Sequence, residues 1–581
     1  MRGSGSDRST TVPKCHDDGR CGRDRRWSVN AQLTSATGRW PAGFIGEIPA
    51  LSTIFLAVIV SGSLAAGLVD WPVLQSPMRS AVLLVFGVAL TVAAAVVCAP
   101  SPVPASTQQH LVMALPAFGV LAGTVALAAA GGSRQLEWFL NGDHPRHVVY
   151  VVDTWAQGSL RYADEGYPRG WHSLLAAVWS STGASTEVTG ILGLLTVTSV
   201  ASLLLSAMLA LATAHTAFAL GARAGLSSWA SVWAGAAAAS LALLNFAFAN
   251  FQALGFQNSL LSAVALTACA REVLARPGSV WGVVVSCAGA SVVAHSWQLL
   301  LPSMLAMVVF TLYTWWGSGA LRRPMVAGAV LTSLLVVTAG GLAVARSLGL
   351  EHASEAGPDT PVPALLVLAG AACFVGLAVR LHRASVTTVA VVALLPALTS
   401  VVIAVVQGIP LGSYYPSKLL WHTAVAGLPA VSVVVGLALH RMARRRSLTT
   451  SAVRVVAGAA TGLLILYGLL MPWGAVLGVW SSVDGAQVLK ALRTPGAQTA
   501  QVVWLRSSPT TDAVTRSLLD AFRAPVTRDR APQAALSIPD ECRLLGAASN
   551  PVVLTTGTDE ETRFRYRCVR GIDILRAGAS D

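Results

Sequence analysis

Runs of about twenty apolar residues recur along this chain, and about twenty is the number an α-helix needs to cross the hydrocarbon core of a bilayer. A backbone in that core must satisfy its own N–H and C=O groups, so runs of this length can fold only as helices packed together. Composition agrees with the pattern. Only 12% of residues are charged and 54% are hydrophobic, whereas roughly a quarter are charged in soluble globular domains. The expected fold is an α-helical polytopic membrane protein, with the lipid bilayer as its first partner.

About thirteen spans are expected, near 50–69, 80–99, 111–130, 189–220, 229–250, 258–275, 279–295, 299–316, 325–345, 363–380, 386–407, 419–440 and 454–475. The run 189–220 exceeds one crossing, so it is expected to tilt or to extend beyond the bilayer. Segment 171–183 is apolar but too short to span and reads as an interfacial or re-entrant helix.

Basic residues in short loops set the orientation. With the N-terminus inside, the inner loops hold Arg223, then Arg271 and Arg276, Arg322 and Arg323, Arg380 and Arg383, and finally Arg441, Arg444, Arg445 and Arg446. The inner loop 100–110 has no Lys or Arg and departs from the rule. This orientation puts 131–170, the 408–418 loop and the C-terminal region on the extracytoplasmic side of the plasma membrane. Much of the net charge of +13 sits in the tail and the inner loops, where anionic lipid accounts for it. No basic surface interleaved with aromatics points to a nucleic acid.

Residues 1–45 read as a disordered cytoplasmic tail, and 46–478 as the transmembrane domain. The first apolar run starts too late and is too long for a cleavable signal. Cys15, His16 and Cys21 fall short of the four spaced ligands of a zinc site. From 479 to 581 a small α/β extracytoplasmic domain is expected, with helices at 484–493 and 510–524 and strands at 501–505 and 551–556. Phe564, Tyr566 and Cys568 alternate with Arg563, Arg565 and Arg567, the pattern of a half-buried strand. Cys542 and Cys568 are the only cysteines of this region, and its oxidising side permits them to pair.

Polar groups gather in the outer stretch 131–170. Asn141-Gly-Asp-His-Pro-Arg-His147 is followed by Asp153, by Asp164 and Glu165, and by Tyr167-Pro-Arg-Gly-Trp-His172. Polar groups at a membrane boundary cost free energy unless they pair, line water or do chemistry. Asp143 or Asp153 can serve as a general base, or hold a divalent cation such as Mg, Mn or Ca. The same carboxylates can instead cap helices and pair with Arg146, Arg161 and Arg169. Tyr167 and Trp171 suit membrane anchoring and sugar binding equally. His144, His147 and His172 join them as candidate substrate-binding groups.

A late outer loop reads Ser413-Tyr-Tyr-Pro-Ser-Lys418, leading into Trp421 and His422. The chain has three lysines, Lys14, Lys418 and Lys490, so Lys418 is the sole lysine of the membrane region. An ammonium is a compact point charge suited to phosphate; snorkelling from the interface is the competing account. Asn245, Asn250, Gln252, Gln257 and Asn258 at one hairpin, and His295, Trp297 and Gln298 at another, supply further polar groups. Interhelical hydrogen bonding accounts for many such residues.

An acidic motif in an early outer loop, a short helix after it and a late loop with Tyr-Tyr and a basic residue resemble the GT-C class of membrane glycosyltransferases. The Tyr167-Pro-Arg-Gly-Trp-His172 and Tyr414-Tyr-Pro-Ser-Lys-Leu-Leu-Trp421 segments are similar to motifs in a little-characterised family of actinobacterial membrane proteins with that architecture. The resemblance covers about 130–440. It implies transfer of a sugar from a polyprenyl-phosphate donor to an envelope glycan or glycolipid. By that pattern Asp143 would act as base or orient the acceptor, and Lys418 would meet the donor phosphate; Arg146, Tyr414 and Tyr415 are further candidates for contact with that phosphate. The chain departs from the usual pattern twice: the acidic loop follows the third span instead of the first, and His144 stands where a second acidic residue is usual. A transporter or flippase of an envelope lipid is the alternative. Its midplane charges and internal repeats are not evident here, since the polar groups collect at the outer ends of spans.

Overall fold

The computed structural model describes residues 40–98, 105–130, 132–140, 142–160, 168–244, 251–252, 254–317, 330, 333–334, 364–445, 462–463, 483–523 and 536–578. Tyr167, Asp164, Glu165, Asn141, Asn245 and Asn250, the tail before residue 40 and the spans expected at 325–345 and 454–475 lie outside the described residues, apart from isolated positions of those two spans.

Eight helices among the described residues are long and apolar enough to cross a membrane: Ile45–Leu68, Pro77–Cys98, Thr107–Ala126, Val188–Arg223, Gln298–Gly317, Ala364–Leu381, Ala384–Gln407 and Tyr414–Met442. Three more expected spans form helices that fall short of that standard. Ser228–Ala242 and Val280–Ala294 have 15 residues each, and Gln257–Ala275 carries Gln257, Asn258, Arg271 and Glu272 along 19 residues. The protein is a helical membrane protein.

The Val188–Arg223 helix organises the bundle. It packs against the helices Thr107–Ala130, Ser228–Ala242, Gln257–Ala275 and Tyr414–Arg445, and small residues such as Ser199, Ser202, Ser206 and Ala210 are buried along it. Its 36 residues reach about 54 Å at 1.5 Å per residue, well beyond the ~30 Å core of a bilayer. By contrast, the Pro77–Cys98 helix exposes Val82, Val85, Phe86, Val88 and Val92, the surface expected of a helix facing lipid.

A charge cluster lies at the end of the bundle opposite Lys418. Arg271 grips both oxygens of Glu47 at 2.8 Å, and Arg276 reaches Glu47 at 2.7 Å. Glu272 pairs with Arg271 and, at 3.4 Å, with Arg276. Two arginines expected as inner-loop charges are therefore largely buried and matched by two carboxylates. Beside them His110 Nδ1 meets His215 Nε2 at 3.2 Å, and both rings pack close to Gly46.

The C-terminal segment contains the helices Gly485–Leu492, Pro509–Arg523, Ile538–Ala547 and Asp559–Arg565, and a parallel sheet of β1 (Val502–Trp504), β2 (Val552–Thr555) and β3 (Asp573–Arg576) in the order β1-β2-β3. The strand expected at 562–568 is instead the helix Asp559–Arg565 followed by turns. Thr558 and Glu561 form a capping box, three acidic residues occupy the first turn, and Arg563 and Arg565 lie in the last. Those end effects outweigh a short alternation. Phe564 is 71% exposed while Tyr566 is fully buried. Cys542 and Cys568 are bonded, and the bond ties the Ile538–Ala547 helix to the turn after Asp559–Arg565 instead of to a strand.

This segment docks on the early polar stretch. The Gly485–Leu492 helix packs against Gly132–Phe139, and Pro509–Arg523 packs against His144–Ala156. Gly485 is needed there, because a Cβ would run into the Ser133 carbonyl. Gln498 Nε2 donates to Thr186 O at 2.6 Å, just ahead of the long Val188–Arg223 helix.

Candidate functional site

The stretch 131–170, expected as a loop, is largely helical: Gly132–Phe139 and His144–Ala156, with Asp143 at the N-cap of the second. Two glycines shape the turn before it. Gly142 (φ +56°) and Gly255 (φ +74°) both adopt the left-handed conformation, and a Cβ on either would overlap the other strand's backbone, at Leu254 O or at the His144 amide. Asp143 N–H donates to Leu254 O at 3.0 Å. These contacts bring the start of one helix against the start of Gln257–Ala275.

Asp143 and Lys418, 275 positions apart in sequence, come together through Tyr414. The Tyr414 hydroxyl donates to Asp143 Oδ2 at 2.8 Å. The Lys418 ammonium lies 3.6 Å from the Tyr414 ring centroid and 3.3 Å from that of Phe256, with Tyr415 at 5.9 Å. Lys418 is 5% exposed, and the charges of Asp143 and Arg146 both act on it. Aromatic faces stabilise a desolvated cation and still leave its N–H groups able to meet an anion. The loop before Tyr414 starts where Gly408, at φ +64°, ends the Ala384–Gln407 helix.

The histidines of the motif are placed for structure. His144 is fully buried; Gln257 Nε2 donates to its Nδ1 at 2.7 Å, so its Nε2–H donates to Gln252 O at 2.8 Å. Trp171, also buried, donates to Gln257 Oε1 at 2.7 Å, which fixes the orientation of that amide. The Gln252 side chain in turn bonds Ser202 and Ser206. Burial pushes His144 down to about 3, and His147 also to about 3. His147 Nδ1 meets His172 Nε2 at 2.8 Å, and burial holds His172 well below its ordinary value. Burial disfavours charge on either ring, so the two form a neutral pair in which one ring donates to the other.

The segment expected as an interfacial helix, 171–183, is the helix Gly170–Ser181, with Trp171, His172, Ser173 and Trp179 all buried. Gly170 N–H donates to His295 O at 2.8 Å, an approach that leaves no space for a Cβ. His295 therefore stands behind this helix, and Gln298 opens the short 3₁₀ turn Gln298–Leu300 that follows it. Asp153 lies ten residues past Asp143 on the same helix, a rise of about 15 Å, and does not join it. Asn258 Nδ2 donates to Pro168 O at 3.2 Å. His422 bonds Ser259 Oγ at 2.8 Å and stacks on Trp297.

Two aromatic residues of the site went unremarked in the sequence. Tyr150 accepts from Arg146 Nε at 2.8 Å, and its ring also carries the Arg169 guanidinium at 5.0 Å. Phe256 forms half of the Lys418 cradle. Tyr150 is four residues after Arg146, the spacing of a helical pair, which was available once a helix was drawn there. Among the described residues no three His, Cys, Asp or Glu side chains converge as a metal-holding group. No family model and no curated protein matches the chain.

Proposed function

We propose that the protein is a membrane glycosyltransferase of GT-C-like architecture. It would move a sugar from a polyprenyl-phosphate donor to an envelope glycan or glycolipid on the extracytoplasmic side. The observation that carries this reading is the meeting of a partly exposed carboxylate with a buried ammonium, through Tyr414, at one end of the bundle. The donor phosphate pairs with Lys418 and Arg146, and both cations stabilise the charge left on it as the anomeric C–O bond breaks. An acceptor hydroxyl attacks the anomeric carbon with inversion, and Asp143 takes its proton. The Tyr414 hydroxyl fixes one Asp143 oxygen and leaves the other for that proton. The lipid tail of the donor enters from the bilayer beside the bundle.

A transporter or flippase is the second reading, favoured by the buried Glu47–Arg271–Glu272–Arg276 cluster at the opposite end, since intramembrane charges often mark a translocation path. Purified protein in nanodiscs, given polyprenyl-phosphate sugars and an envelope acceptor, separates the two. Product formation supports the enzyme. Lipid movement in proteoliposomes with no transfer from any such donor overturns it. Reporter fusions that placed 483–578 in the cytoplasm would also overturn the extracytoplasmic chemistry.

A further inference from the structure

A second cleft lies in the C-terminal segment, at the carboxyl end of β1. Its cavity of about 310 Å³ is lined by Trp504, Arg506, Asp512, Arg516, Glu541 and Arg565, among others. The carboxyl ends of parallel strands are where open α/β sheets bind ligands, and this volume is at the lower end of small-molecule sites. Arg506, Arg516 and Arg565 line the cleft beside Asp512 and Glu541, and Arg506 Nη1 also donates to Glu561 Oε2 at 2.9 Å, which leaves its Nη2 towards the cleft. Burial, the largest influence on Asp512, pushes its carboxyl up to about 6, which weakens the opposing negative charge.

The arginines are held in place beforehand. Arg565 lies over the Trp504 ring at 5.0 Å, its Nε donates to Tyr566 Oη at 3.0 Å, and its Nη2 reaches Glu541 at 3.3 Å. Those contacts leave Nη1 to a ligand. Arg506 sits at φ +59°, a conformation that side-chain-bearing residues rarely adopt. It is held by the bonds around Leu505, whose N–H goes to Asp512 Oδ1 at 2.7 Å and whose carbonyl accepts from Thr556 Oγ1 at 2.5 Å. The disulfide clamps the opposite wall, because Cys542 follows Glu541 and Cys568 comes three residues after Arg565.

We infer that this cleft binds an oxyanion, a phosphate or a carboxylate carried on a hydroxylated small molecule, between Arg506 and Arg565. One charge-assisted hydrogen bond from each guanidinium, Arg565 Nη1 and Arg506 Nη2, would hold either anion between them. The site is separate from the Asp143–Lys418 centre and stands whether or not that centre transfers sugars.

The test uses full-length protein in zwitterionic nanodiscs carrying Lys418→Ala, so that the other anion centre is silenced, and measures binding of inorganic phosphate by equilibrium dialysis. Saturable binding is expected, with about a tenfold or greater loss in Arg506→Gln and in Arg565→Lys. Competition by glucose 6-phosphate but not glucuronate identifies phosphate as the favoured group, and competition by both identifies a general oxyanion site. Arg506 is half exposed, so Arg506→Gln keeps the fold, and an intact Cys542–Cys568 bond in non-reducing mass spectrometry confirms folding of Arg565→Lys. Absence of saturable binding of both phosphate and glucuronate, or unchanged affinity in folded Arg506→Gln and Arg565→Lys, overturns the inference.

Discussion

Tyr414 donates its hydroxyl to Asp143 Oδ2 across 2.8 Å, joining residues 271 positions apart. The same ring carries the Lys418 ammonium, so one side chain performs two separable tasks. Tyr414→Phe removes the hydroxyl and keeps the ring. Transfer is expected to fall by about 10–100-fold, the usual worth of a hydrogen bond to a charged group, while donor affinity stays near normal. Tyr414→Ala should impair both. Equal donor affinity in the two variants, measured by donor titration, would show that the ring does not support Lys418.

Glu47 anchors the arginine cluster at the other end of the bundle. Glu47→Gln leaves two buried guanidinium groups with Glu272 as their one carboxylate, and breaking a buried pair from one side typically costs about 3–5 kcal/mol. Thermal unfolding in nanodiscs should register a clear loss of Tm. The double variant Glu47→Met with Arg271→Met should recover part of it, because a matched apolar pair has no buried charge to compensate. An unchanged Tm in Glu47→Gln would mean the cluster is not structural.

Acid should loosen the early polar helix. His147 is held at about 3 against an ordinary 6.5, so the unfolded chain binds more protons than the folded one between these values. The stability contributed by the neutral ring is full above about pH 6.5 and declines as pH falls through that window. Asp512, pushed up to about 6, acts in the opposite sense. His147→Gln should therefore lose less Tm than the parent between about pH 7 and pH 5. Parallel profiles would contradict the buried neutral pair.

Reduction of Cys542–Cys568 is expected to cost about 2–5 kcal/mol and to loosen the region holding Tyr566 and Glu541. Peptide mapping of mature protein under non-reducing conditions checks the bond directly. Two free thiols there would contradict it.

Much of the bundle was legible because apolar run length maps directly onto helix length, as at Pro77–Cys98 and Ala384–Gln407. The pairing of β1 with β2 also follows segments visible as apolar strands. Residues 562–568 misled because alternation over seven positions is a weak signal, whereas the Thr558–Glu561 capping box is a local hydrogen-bonded structure. In the site, Asp143, Arg146, Tyr414 and Lys418 stood out as polar groups in an apolar chain. His144 and Trp171 stood out for the same reason, yet they belong to a buried hydrogen-bond network. Residue type alone does not distinguish a polar group that faces a ligand from one that joins helices. Glu47 was overlooked because a single carboxylate in an apolar run does not reveal its partner, here supplied by the end of another helix, and Glu272 because its neighbours Arg271 and Arg276 read as loop charges.

The central claim is that Asp143 acts as base while Lys418 holds the donor phosphate. The direct measurement is sugar transfer by Asp143→Asn and Lys418→Ala in nanodiscs, with donor affinity read alongside. Asp143→Asn should lower turnover by about 10²–10⁴ with donor binding intact. Lys418→Ala should weaken donor binding as well as turnover, because the phosphate is present before and during the transfer. Near-normal transfer by Asp143→Asn would remove Asp143 from the chemistry and contradict the account.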